Sequence, residues 1–323
     1  MKPGKVSEAI LKRSVLKQIS NKSEILINGA AVGNDAALFV ISKDNNNAAS
    51  SIETVIDDYE LQKARAVIRA SNNVWAKGAV PKTAQLAITL PTKALESDLR
   101  ALAKEYIDAC KQLNIQVTGG HTEVSEYVSV PIVTATVYGE ASDIYSLKNI
   151  TEGEDIVMTK AIGLEGSYLL AKKQYEFFST RFSKSYIDKS LEYIKQISIS
   201  KEAAVAVKHG VTAMHDLSEN GILGALWEIG EAGNCGVSVD IKAINVHQET
   251  IELCEYFDIN PYKIQSSGAL LMITSDGEEL VNALEEAGVE AAVIGKVTSG
   301  HDKVIINEDE TRYLEPPKVQ KSF

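Results

Sequence analysis

The stretch RASNNVWAKGAVPKTAQLAITL (residues 69–90) carries the signals that decide the fold of the N-terminal half of the chain. Its first part belongs to a helical pattern over residues 60–77, and Gly78 with Pro81 beyond it is typical of a helix end. The following TAQLAITL (83–90) alternates apolar and polar residues, which predicts a strand with one buried face. A helix that leads directly into such a strand indicates a mixed α/β fold.

Similar patterns on both sides of this stretch predict further elements. Strands are expected at 36–41, 52–56, 115–118, 128–139, 155–160, 236–241, 269–274 and 291–297. Helices are expected at 7–20, 96–113, most of 163–209, part of 215–233 and 276–288. The polar segment 140–153 interrupts the pattern, so we predict two α/β (α+β) domains, at 1–145 and 153–315.

The composition argues against several classes of function. The chain has 323 residues and a formal net charge of −11, which disfavours nucleic acid or an anionic membrane as the main partner. A local basic pocket for a phosphate ligand remains compatible with that charge. The cysteines Cys110, Cys235 and Cys254 are widely spaced and match no zinc or redox pattern. Because the sequence also has no signal-peptide pattern and no apolar run of about 18 residues, we expect a soluble cytoplasmic protein.

Two aspartates lie where α/β proteins tend to bind ligands. In VGNDAALF, Asn34 and Asp35 follow a glycine and precede a strand, although an ordinary Asn/Asp turn would explain them as well. In VIDDYEL, Asp57 comes at the carboxyl end of a strand, while Asp58 is a suitable N-cap for the next helix. Asp35 and Asp57 are therefore candidate ligands.

The predicted helix before Gly78 carries a polar face. Arg69, Asn73 and Lys77 are four residues apart and share one side of the helix. Two cations and an amide could hold a phosphate group. A polar face in contact with water explains the same spacing.

A second glycine-containing turn occurs in HDLSENGILGALWEIGEAG (215–233). Asp216 and Glu219 resemble a capping box, and Gly221 would allow the backbone to approach an anion at the helix start. A capped helix packed closely on a sheet is the alternative interpretation.

The stretch TGGHTEVS (118–125) is expected to form a turn between two strands. Gly119 and Gly120 could bring backbone N–H groups close to phosphate, but no Walker-type P-loop motif occurs in the chain. His121 and Glu123 are two residues apart and would point the same way if the backbone were extended, so they could ligate a metal. Two ligands alone are weak grounds for a metal hydrolase.

The order of these motifs resembles the AIR synthase superfamily, and HypE-like members most closely. The similarity extends over residues 5 to about 310 and includes the elements Asn-x-x-x-x-Gly-Ala-x-Pro, Gly-Gly-x-Thr and Ser-Ser-Gly-x-Leu-Leu. It implies a two-domain fold with an N-terminal sheet-and-helix domain, which forms a homodimer, and a C-terminal α/β sandwich domain. It also implies that ATP, with Mg²⁺ held by aspartates, activates or phosphorylates a small substrate.

The resemblance implies roles for individual residues. Asp35 and Asp57 would hold Mg²⁺, although Asn34, Asn73 and His121 stand at positions that are acidic in the family. Nucleotide contacts are implied for Asn34, Asp35, Asp57, Asn73, Gly119, Gly120, Thr122, Asp216 and Gly221. Glu123 is the best candidate for a general base or an additional ligand, with His121 contacting phosphate or substrate.

Two hypotheses of function follow. The first is an ATP-dependent enzyme of the AIR synthase group, with an unknown small substrate and a possible maturation partner protein. HypE carries its carbamoyl group on a C-terminal cysteine, and no cysteine follows Cys254 here, so we do not expect that reaction. The alternative is a non-catalytic, dimeric paralogue that binds a ligand or a partner.

Overall fold

The chain folds into two compact units, which are described separately. The computed structural model describes residues 8–19, 23–41, 47–143 and 145–317. The N-terminal unit comprises the described residues of 25–29 and 35–143. The C-terminal unit comprises those of 8–24, 30–34 and 145–317, so the first helix and the turn at 30–34 belong to it.

The N-terminal unit is built on a six-stranded sheet. Its strands are β1 (Leu26–Asn28), β2 (Ala37–Val40), β3 (Asn47–Ile56), β4 (Val80–Pro91), β5 (Gln116–Ser125) and β6 (Ile132–Ala141). The order across the sheet is β1-β2-β3-β6-β4-β5, and only the pair of β4 and β5 is parallel. β5 is therefore an edge strand.

Helices cover one face of this sheet. They are α2 (Tyr59–Gln62), α3 (Arg65–Trp75) and α4 (Glu96–Gln112), and α3 packs on β3, β4 and β6. The alternation in β4 places Leu86, Ile88 and Leu90 in the core beneath the helices. The opposite face, which we call the open face, bears exposed side chains such as Ile52 and Ile56 on β3.

The C-terminal unit has a seven-stranded sheet in the order β13-β12-β9-β11-β7-β10-β8. Its strands are β7 (Asp155–Thr159), β8 (Ala213–Asp216), β9 (Gly236–Asp240), β10 (Leu270–Thr274), β11 (Ala291–Thr298), β12 (Lys303–Asn307) and β13 (Glu310–Tyr313). Its helices are α1 (Glu8–Ser14), α5 (Leu164–Lys173), α6 (Tyr175–Phe178), α7 (Lys184–Glu192), α8 (Ser200–His209), α9 (Gly221–Gly233), α10 (Gln248–Tyr256) and α11 (Gly277–Glu286). The core lies between this sheet and helices such as α9.

Two expectations from the sequence are wrong in detail. The helix expected over 60–77 is divided into α2 and α3 because Lys63 and Ala64 adopt left-handed conformations, and the Ala64 N–H donates to Glu105 Oε1 at 3.0 Å. The turn expected within TGGHTEVS is not present, since β5 runs through the whole stretch in register with β4. The sequence also did not indicate the short strand β8 or the helix α10.

The expected fold class is confirmed: the chain has a mixed α/β architecture with two sheets. Among the described residues, no helix is both long enough and apolar enough to cross a bilayer.

Candidate functional site

The polar face of α3 points into the protein, toward β3. Arg65, Arg69 and Asn73 follow one another at four-residue intervals, and Lys77 continues the series just beyond the helix. All four are buried: 1% of the surface of Lys77 and 8% of that of Asn73 is exposed. The interpretation of this face as one in contact with water is therefore wrong.

Each cation of this series faces a carboxylate. Arg65 Nη2 lies 2.8 Å from Asp57 Oδ2, which is the residue directly after β3. Arg69 Nη2 lies 3.1 Å from Glu53 Oε2, on a strand position that points toward α3. These two ion pairs and the Lys77 pair described next form what we call the α3–β3 ladder.

The ladder continues through two neutral side chains to Asp35. Asn73 Nδ2 donates to Glu53 Oε1 and to Ser51 Oγ, both at 3.0 Å. The Ser51 hydroxyl donates to the backbone oxygen of Asp35 at 3.2 Å. Lys77 Nζ lies 3.3 Å from Asp35 Oδ2. Asn73 thus connects the Arg69–Glu53 pair to the Lys77–Asp35 pair. Its amide N–H group is suited to a position beside the Glu53 carboxylate.

The aspartates assigned to a metal do not converge on one ion. Asp35 lies beside Ser51. Ser51 precedes Asp57 by six residues, which corresponds to about 20 Å along the strand. Each carboxylate is already within 3.3 Å of a cation. Among the described residues, no group of three or more His, Cys, Asp or Glu could hold a metal ion. The residues present do not fit a shared Mg²⁺ site.

The candidate catalytic pair lies on the other side of the sheet. His121 and Glu123 pair in register with Ala87 and Thr89 of β4, whose side chains alternate with the buried core residues. His121 Nε2 is 3.4 Å from Glu123 Oε2, and the Thr89 hydroxyl donates to Glu123 Oε1 at 3.3 Å. Both side chains are more than half exposed, at 70% and 53%. The sheet itself therefore separates this pair from the α3–β3 ladder.

Close packing explains one of the two glycines before this pair but not the other. A Cβ on Gly120 would lie 1.9 Å from the backbone oxygen of Leu86, so β4 approaches too closely for any other residue. A Cβ on Gly119 would meet nothing within 4 Å. Thr122 is exposed on the same edge strand. These residues form a strand edge, whereas the sequence suggested a phosphate-binding loop.

The remaining candidates lie in the C-terminal unit. Asp216 is buried at the end of β8, and its neighbour His215 is 3.0 Å from Glu228 Oε2 on α9. Gly221 has φ +61°, and a Cβ there would lie 2.6 Å from the Tyr262 carbonyl oxygen, so close packing explains this glycine. The backbone amide of Asn34 donates to the Ala31 carbonyl at 3.4 Å, which is an ordinary turn contact.

Sequence reasoning missed Lys160, a cation of the C-terminal unit whose side chain is 16% exposed. Lys160 follows β7 with φ +53°, and its Nζ donates to the carbonyl oxygens of Gln196 and Ser198 at 2.8 and 2.9 Å. It also pairs with Glu202 at 2.6 Å. Burial lowers the pKa of Lys160, and the nearby Glu202 and Asp216 carboxylates oppose that shift. The only signal in the sequence was a lysine directly after an apolar strand.

The two units correspond to two matched domains. Residues 28–141 match the AIR synthase related protein N-terminal domain, and residues 151–307 match the AIR synthase related protein C-terminal domain. The chain belongs to the AIR synthase related protein family. The resemblance seen in the motifs is thereby confirmed.

Curated relatives of this AIR synthase related chain include proteins of two kinds. A putative hydrogenase expression/formation protein of Methanocaldococcus jannaschii is 25% identical over 75% of this chain and 71% of its own length. A selenide, water dikinase of the same organism is 23% identical over 91% of this chain and 90% of its own length. Both alignments extend well beyond a single domain.

Solved structures share the fold over nearly the whole chain. The HypE–HypF complex matches with a TM-score of 0.76 at 17% identity, covering 96% of this chain and 100% of that one. AaThiL complexed with AMPPCP and TMP matches with a TM-score of 0.74 at 15% identity, covering 95% and 96%. HypE in complex with ATP matches with a TM-score of 0.68 at 18% identity, covering 99% and 96%. At these identities, the likeness concerns the fold.

Proposed function

We propose that this AIR synthase related protein binds ATP and uses it to activate or phosphorylate a small substrate. The observation that carries the proposal is the match of both family domains, at 28–141 and 151–307. It is supported by the names of relatives and fold neighbours, which include a dikinase and proteins in complex with ATP or AMPPCP.

Within this proposal, Glu123 is the general base and His121 contacts the phosphate or the substrate. An exposed carboxylate with one oxygen 3.3 Å from the Thr89 hydroxyl and the other 3.4 Å from an imidazole is oriented by both neighbours. A carboxylate in such a position can accept a proton from an attacking hydroxyl or acid. Thr122, Gly119 and Gly120 would then form the strand edge next to the nucleotide.

Nucleotide turnover tests the proposal. The purified chain is incubated with ATP and Mg²⁺, with and without selenide, and ADP and AMP are quantified by chromatography. We expect Glu123→Gln to lower turnover about 100-fold or more, as loss of a general base does. Glu126→Gln, a change at an exposed glutamate three residues away, serves as the matched control. Absence of any ATP binding in a calorimetric titration would refute the proposal.

A non-catalytic, ligand-binding role is the second candidate, and the α3–β3 ladder favours it. Asp35 and Asp57 are engaged by Lys77 and Arg65, so they offer little charge for the metal that phosphoryl transfer requires. ATP binding without release of ADP across carboxylate, amide and phosphate-acceptor substrates would support this role.

We also propose a homodimer formed through the open face of the N-terminal unit. Ile52 and Ile56 are each 63% exposed there, which is unusual for large apolar side chains on one face of a sheet. The HypE–HypF complex among the fold neighbours supports a maturation partner protein as a second kind of partner, and co-purification tests it.

A further inference from the structure

The positive and negative charges of the α3–β3 ladder balance, so little negative charge is left to bind a metal ion. Asp35, Glu53 and Asp57 contribute three negative charges, and three cations, at most 3.3 Å away, neutralise them. We infer that the ladder closes the aspartate site of this chain to divalent cations, so that Asp35 and Asp57 supply no ligand to Mg²⁺. What this inference implies for a Mg²⁺ ion bound together with ATP rests on the proposed ATP binding.

Displacement of the ladder cations is unfavourable. A metal ion at Asp57 would have to separate Arg65, whose side chain is 4% exposed and whose Nε also donates to the Leu61 carbonyl at 2.8 Å. The buried guanidinium would then lose its contact with the Asp57 carboxylate, which is destabilising. The same holds for Lys77, which is 1% exposed beside Asp35.

The geometry of the oxygens is also unsuitable. Mg²⁺ requires near-octahedral oxygen ligands and retains several waters, so it needs an open site with at least one carboxylate that no cation already engages. Asp35 and Asp57 are about 20 Å of strand apart, and both carboxylate oxygens of Glu53 between them are engaged, Oε2 by Arg69 and Oε1 by Asn73. Each of the three carboxylates along β3 is therefore already engaged by a cation.

Direct metal binding to the full chain tests the inference. Mn²⁺ is titrated into the wild-type protein and Asp57→Asn, and free Mn²⁺ is measured by electron paramagnetic resonance. We expect the wild type to bind no Mn²⁺ at β3 up to about 1 mM, the weak end of protein sites for hard cations, and Asp57→Asn to give the same curve. Tighter binding by the wild type that is lost in Asp57→Asn would overturn the inference.

A gain of metal dependence gives a second test. In Lys77→Met, Asp35 loses the Lys77 ammonium, so we expect a lower Tm in EDTA and a rise in Tm on adding Mn²⁺ that the wild type lacks. Arg100→Met, which removes the exposed pair with Glu96, is the control and should show no metal dependence. A Lys77→Met protein without any stabilisation by Mn²⁺ would show that the ladder is not what excludes the ion.

The outcome for the nucleotide can be separated from that for the metal. ATP is titrated in EDTA and in Mg²⁺ into the wild type and Asp57→Asn. Absence of ATP binding in both buffers refutes the proposed function and leaves the Mn²⁺ result as the measure of this inference. ATP binding that requires Mg²⁺ and is abolished by Asp57→Asn contradicts the inference itself.

Discussion

Gly119 and Gly120 differ in what surrounds them, although their backbones are nearly the same. Their φ angles are 158° and 159°, so any backbone cost of a side chain is common to both positions. Only at Gly120 would a Cβ meet the Leu86 carbonyl oxygen, at 1.9 Å. We predict that Gly120→Ala lowers the free energy of unfolding by about 1–3 kcal/mol more than Gly119→Ala does. Urea denaturation measures the difference, and equal losses would show that β4 can move away.

The cysteines allow a second prediction at the level of single residues. Burial raises the pKa of the Cys110 thiol to about 11 and that of Cys254 to about 12, and both side chains are buried. We predict that Ellman's reagent modifies at most Cys235 in the native protein at pH 8, and all three thiols after unfolding. Cys235→Ser should abolish the native reaction, and rapid modification of Cys110 in that variant would contradict the prediction.

The raised pKa of Cys110 makes the stability of the folded protein depend on pH. In the unfolded chain the Cys110 thiol ionises near its ordinary value of 9.0, whereas in the folded chain it keeps its proton to about 11. The folded state therefore binds more protons between these values, and the stability from the neutral thiol is lost as the pH rises through this range.

At the scale of elements, α3 and β3 are held together by the ladder as well as by apolar contacts. Arg69→Met would leave Glu53 mostly buried with Asn73 as a neutral partner. We predict a loss of about 3 kcal/mol in the free energy of unfolding, the low end for a broken buried pair. The double variant Arg69→Met/Glu53→Gln should recover a large part of it. Arg100→Met, at an exposed pair, should change stability by less than about 0.5 kcal/mol, and a similar loss there would contradict the assignment.

Local patterns were enough to predict the elements whose periodicity lies within their own residues. β4 and α4 were expected at 83–90 and 96–113 and are observed at Val80–Pro91 and Glu96–Gln112. The break between α2 and α3 left no local signal, and the contact made there by the Ala64 N–H is with the Glu105 carboxylate, 41 residues further along the chain. Contacts that are distant in sequence leave no periodic signal.

The candidate site shows the same limit. The four-residue spacing of Arg69, Asn73 and Lys77 correctly indicated one helix face, but not whether it pointed to water or to the protein. Glu53 and Asp35 decide that question, and neither of them lies on α3. TGGHTEVS was expected to turn because glycines favour turns, whereas its pairing with β4 keeps it extended.

At the scale of the whole molecule, the open face of the N-terminal unit is suited to association between copies. Thr54 and Thr134 bond to each other there at 2.9 Å, and Ile52 and Ile56 flank them in the same register. The centre of this face thus presents β-branched side chains whose polar groups are already satisfied, whereas His121 and Glu123 lie at its edge on β5. A stable interface of about 800 Å² per partner would need such a surface to be free of charge at its centre.

A charge at the centre of this face should therefore prevent the dimer without unfolding the chain. We predict that Ile52→Glu sediments as a monomer at concentrations where the wild type is a dimer, because association would bury an uncompensated carboxylate. Its far-ultraviolet circular dichroism should match the wild type, since Ile52 is 63% exposed. Leu95→Glu changes a comparably exposed residue, at 66%, outside the sheet and should leave the dimer intact. An Ile52→Glu protein that remains dimeric, or a monomeric Leu95→Glu, would place the interface elsewhere.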